Sequence, residues 1–61
     1  MRTFSFYIHD RRYSVPTLQI VDAPDEDHAR ELAQKRLDET MAHLAIEVVE
    51  DDQRLFELTR A

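Results

Sequence analysis

The hydrophobic periodicity of this chain switches twice, from alternation to a three-and-four-residue repeat and back, so its 61 residues have room for little beyond strands flanking one helix. Phe4, Phe6 and Ile8 alternate with Thr3, Ser5, Tyr7 and His9, the pattern of a strand with one buried face. Asp10-Arg11-Arg12 follows as a polar turn. It lacks the glycine that two-residue hairpin turns favour, which predicts a loop of about three to five residues. Tyr13 to Val21 reads as the second strand. Pro16 has no N–H for a sheet ladder, so this strand is placed at an edge; a bulge is expected near Pro16, because Val15, Leu18 and Ile20 fall out of strict alternation.

The segment Asp22-Ala23-Pro24-Asp25-Glu26-Asp27 reads as a helix start, with Asp22 or Ala23 near the cap, Pro24 in the first turn and three acids at the positive end of the dipole. Ala29, Leu32, Ala33, Leu37 and Met41 then make one apolar stripe, and Glu26–Arg30 and Glu31–Lys35 are spaced as (i, i+4) pairs on the wet side. The helix is expected from about Pro24 to Thr40. Leu44, Ile46 and Val48 mark the inner face of a third strand, Glu50 to Gln53 a turn, and Arg54 to Thr59 a fourth strand with Phe56 and Leu58 inward.

A helix of about 17 residues spans roughly 25 Å, enough to return the chain so that the third strand runs antiparallel beside the first. The expectation is an α+β fold, ββαββ, with a four-stranded, mainly antiparallel sheet in order 2-1-3-4 and one helix packed on one face. Residues 1–61 form one domain, since a chain of this size buries only about 60% of its unfolded surface and has no second core to spare.

Composition narrows the function. The absence of cysteine excludes disulfides and thiolate zinc sites, and the absence of glycine removes phosphate-cradling loops. Thirteen acidic against eight basic residues give a net charge of −5, which disfavours nucleic acid as a partner. The chain opens in alternation rather than in an apolar run of about 7 to 15 residues, and nothing approaches a membrane span of about 20 residues. A cytoplasmic protein with no membrane partner is expected.

The segments Phe4 to Asp10, Ala29 to Ala33 and Ile46 to Phe56 together resemble small uncharacterised bacterial ββαββ domains, a resemblance that implies the fold and no activity. The layout is also loosely similar to small antitoxins that set one helix on a curved sheet, a likeness of topology alone.

No reactive set stands out. Ser5 and Ser14 lack a nucleophile-elbow motif, and Glu50-Asp51-Asp52 lacks the alternating ligands and mid-loop glycine of a calcium loop. Arg11-Arg12 reads as a charged hairpin tip and His28 as a helix residue bordering sheet or solvent. Stacking Phe4, Phe6 and Ile8 on Val48, Ile46 and Leu44 sets His9 opposite His43 on the side away from the helix, a pair able to share a metal or to respond to pH. The same side would carry Tyr7, Tyr13, Val15, Ala45, Val49 and Leu55 among Ser5, Thr17, Gln19, Glu47 and Glu57, more apolar than a wet face needs.

The chain therefore reads as a non-enzymatic interaction or self-association module acting through that open face, centred on Tyr7, Tyr13, Val15 and Val49, with a homodimer or another protein as partner and no cofactor. A small regulatory or metal/ligand-binding domain, including an antitoxin-like role, is the alternative. Catalysis ranks third, because nothing here builds a water-excluding site.

Overall fold

A computed structural model describes residues 1–60. The order is β1 (Arg2–Asp10), β2 (Thr17–Ala23), α1 (Glu26–Asp38), β3 (His43–Glu50) and β4 (Gln53–Thr59). The four strands form one antiparallel sheet in the order β2-β1-β3-β4, as the periodicity predicts. Phe4, Phe6, Ile8, Ile46 and Val48 are buried with Ala29, Ala33 and Leu37 of the helix, and Phe56 and Leu58 pack against them. Two alanines in the contacting stripe let the helix backbone approach the sheet closely. Leu32 is more exposed than its place in the stripe suggests, facing a hollow beside Phe6, Gln19 and Val21, and Met41 lies in solvent.

The helix is shorter than expected because Asp25, not Asp22 or Ala23, is its cap: extended at φ −156°, Asp25 accepts the His28 backbone N–H at 2.8 Å. Pro24 therefore precedes the cap, and Ala23 is a buried strand residue. Arg30 stacks over the Phe56 ring at 4.0 Å, so its role is packing rather than the expected pairing with Glu26. At the other end Arg60 donates to the carbonyl of Leu37, an acceptor that the helix terminus leaves without a partner, and to those of Thr40 and His43 where the chain returns to β3.

The second strand is later and shorter than its sequence reading. Residues 11–16 form the β1–β2 connection and Pro16 stands just before β2, which is an edge strand as expected. The β1–β2 register runs without a shift, so the bulge expected near Pro16 is absent from the described pairs. Thr17, Gln19 and Val21 pair with Ile8, Phe6 and Phe4, while Leu18 and Ile20 pair with Tyr7 and Ser5. The faces of β2 are thus opposite to the reading that put Thr17 and Gln19 on the open side.

Two bulges lie elsewhere. Leu44 is the extra residue between Ala45, paired with His9, and His43, paired with Asp10. Leu55 is the extra residue between Phe56, paired with Val48, and Arg54, paired with Val49. Leu44 is consequently 46% exposed rather than inward, and Leu55 packs against the core rather than on the open face.

Asp51 and Asp52 turn the β3–β4 hairpin with φ of 51° and 63°, the two positive values a tight hairpin turn demands. Aspartate tolerates this region better than most residues but less well than glycine. Asp52→Gly is expected to stabilise the fold by about 0.5–1 kcal/mol, read as a higher urea midpoint at unchanged slope. Ala33→Leu, which forces the helix off the sheet, is expected to cost about 1–3 kcal/mol by the same measurement.

Candidate functional site

Period-two geometry turns one side of every strand away from the helix, and the pairings fix which residues meet there. Ile20, Ser5 and Val49 form one row across β2, β1 and β3; Leu18, Tyr7, Glu47 and Glu57 form the next across all four strands; His9, Ala45 and Thr59 form a third. The face divides into two halves. On the β2–β1 side Ile20, Leu18 and Tyr7 are 59%, 52% and 36% exposed. On the β3–β4 side Glu47 faces Glu57 directly, and His9, one pair along, sets Nε2 2.7 Å from Glu47 Oε1. A ligand atom from each of His9, Glu47 and Glu57 lies within 4.8 Å of the other two.

The residues expected to form the interaction face are only partly together. Tyr7 and Val49 lie on the open sheet face, Val49 half-buried. Tyr13 and Val15 are in the 11–16 connection, exposed and beside a hollow shared with Pro16 and Leu44. Leu18 and Ile20 take the place on the face that the sequence reading gave to β2's other side. The missed signal was Ala23: a buried alanine at the end of β2 sets the phase of the strand, turning Val21 toward the helix and Ile20 and Leu18 away.

The histidine pair does not form. The register is displaced by two residues from the expected one, so Ala45 stands opposite His9. The bulge at Leu44 turns His43 inward, where its Nδ1–H donates to the Arg36 carbonyl at 2.7 Å in the last helical turn. His43 is thereby a structural residue, tying β3 to the helix end. Its Nε2 lies 3.7 Å from Asp10 Oδ2.

Asp10 is the buried anion of this corner. Arg12 donates to Asp10 Oδ1 from its backbone N–H at 2.8 Å and from Nε at 2.9 Å, and to Oδ2 from Nη2 at 2.6 Å. Hydrogen bonding from Arg12 outweighs burial and lowers the Asp10 pKa from 3.8 to about 2. Across the sheet Arg2 donates to both Glu50 oxygens, at 2.8 and 2.6 Å, and lowers that carboxyl in the same way.

Comparison with protein-family models, with curated proteins and with solved structures finds no match. No helix among the described residues is long and apolar enough to cross a membrane.

Because Asp10 binds its proton more weakly when folded, its contribution to stability is complete above about pH 5 and declines as pH falls through 3.8 toward about 2. Asp10→Asn is therefore expected to lower the urea midpoint at neutral pH and to lose most of that deficit relative to the wild type near pH 2.

Proposed function

We propose that this chain is a non-enzymatic interaction module whose partner is a second copy of itself, joined through β2 and the apolar half of the open face. The observation that carries this reading is the contiguous exposure of Leu18, Ile20 and Tyr7 on and beside an edge strand. An exposed edge bearing apolar side chains is a template for another strand. The only charged residue of β2 is Asp22, which accepts the Thr3 hydroxyl at 2.8 Å near the end of the strand.

Charge selects the mode of association. Stacking two open faces about a twofold axis would set Glu47 and Glu57 against either the same acids or the apolar strip of the other copy, at a sheet spacing of about 10 Å. Pairing β2 with β2 avoids both. Centred on Gln19, such a ladder brings Leu18 of each copy opposite Ile20 of the other and joins the two apolar strips. Glu47 of one copy is then five strand spacings, roughly 24 Å, from its counterpart, well beyond the screening length of about 8 Å at physiological salt.

Sedimentation equilibrium tests this directly. The wild type is expected to approach twice the 7.3 kDa chain mass as concentration rises, and Ile20→Lys, a charge at the centre of the edge, to remain a single chain. A wild type that stays monomeric at millimolar concentration, or an Ile20→Lys variant that associates equally well, overturns the reading.

A further inference from the structure

We infer that His9, Glu47 and Glu57 form a binding site for a divalent transition-metal ion of the zinc class. Three neighbouring strands present one imidazole nitrogen and two carboxylates to a common point on the open face, with their ligand atoms mutually within 4.8 Å. Mixed nitrogen and oxygen donors of this kind suit zinc and its neighbours, whereas magnesium and calcium prefer a shell of about six or more oxygens.

Three features make the cluster more than a group of surface acids. Glu47 and Glu57 stand directly opposite each other in the ladder, a like-charge pairing that disfavours the sheet unless something positive lies between them. Arg54 meets this need only in part, with Nη2 3.3 Å from one oxygen of Glu57. His9 brings a ring nitrogen to the same place and, unlike His43, is not committed to holding a helix end. The site also rests on a rigid base, because Ile8, Ile46 and Val48, next in sequence to His9 and Glu47, are buried in the core.

The ion takes the place of a hydrogen bond. His9 Nε2 and Glu47 Oε1 are 2.7 Å apart, a hydrogen-bonding distance. Ligands about 2.0–2.2 Å from a tetrahedral zinc ion lie roughly 3.3–3.6 Å from one another, so the two side chains separate slightly as the ion enters. Three protein ligands leave a fourth position for water or an outside donor. The site lies on β1, β3 and β4, away from the β2 edge, so it is independent of association between copies.

Zinc chloride titration followed by NMR of the histidine rings tests the assignment, with two internal controls. His43 is committed to Arg36, and His28 stands at the helix start with Nδ1 3.9 Å from Asp25. The expected result is saturable, one-to-one perturbation of the His9 ring with His28 and His43 unmoved, and little response to magnesium chloride. Glu57→Gln and His9→Ala are each expected to weaken zinc binding by at least about tenfold, since even outer partners of metal ligands carry that much. Both positions lie on the solvent side, and retention of the fold is checked from the shifts of Phe6 and Ile46. Absence of a His9 response at modest excess zinc overturns the inference. So does equal movement of His28, which would mark non-specific surface binding, or unchanged affinity in a folded Glu57→Gln variant.

Discussion

The pairing of β1 with β3 is the constraint on which this molecule depends. One of these strands precedes the helix in sequence and the other follows it, and their ladder sets Phe6 beside Val48 and Ile8 beside Ile46 in the interior. A large side chain buried this way contributes on the order of 1.5–3 kcal/mol, and a 61-residue chain has few of them. The helix adds little bulk; its contribution is closeness, because Ala29 and Ala33 let it lie low over the sheet while Leu37 fills the remaining space. Once Phe6 and Ile46 face inward, the pleat sends Tyr7, His9, Glu47 and Val49 outward, so the open face is a direct consequence of the core.

Polar groups close the ends of this arrangement. Arg60 and His43 satisfy carbonyls at the helix C-terminus, while Arg12 encloses Asp10 at the adjoining corner of the sheet. The bulge at Leu44 lets His43 turn inward. This local irregularity assigns the two strand histidines different roles. His43 stabilises the chain's return from helix to sheet, whereas His9 stays on the open face beside two glutamates. The apolar and acidic halves of that face are separated by strand, which allows the edge and the ion site to be considered as distinct surfaces.

How much of this was legible follows from the range of each interaction. The strands, the helix and the sheet order could be read from Phe4-Phe6-Ile8, Ala29-Ala33-Leu37 and Ile46-Val48, because burial requirements imprint a period on the sequence. The face of β2 is not legible in the alternation because Leu18 and Ile20 are apolar yet outward, an arrangement that goes with the contact of Ala23 and Val21 with the core. The histidine pair is not legible because alternation fixes which residues face inward but not the β1–β3 register, which lies two residues from the expected one, and because a bulge carries no periodic signature; Leu44 looks inward by alternation until the helix end requires His43. Glu57 was visible as an outward residue, but its position beside His9 and Glu47 depends on two successive registers.

The amino-acid sequence by itself determined the ββαββ order, the central strands and the acidic, glycine-free character of the chain, since these rest on local period and composition. Only the tertiary structure decided the phase of β2, the placement of both bulges, the commitment of His43 to the helix and the meeting of His9 with Glu47 and Glu57. Those features arise where segments distant in sequence must share one pleated sheet and one core, and a one-residue change of phase there moves a side chain from core to solvent.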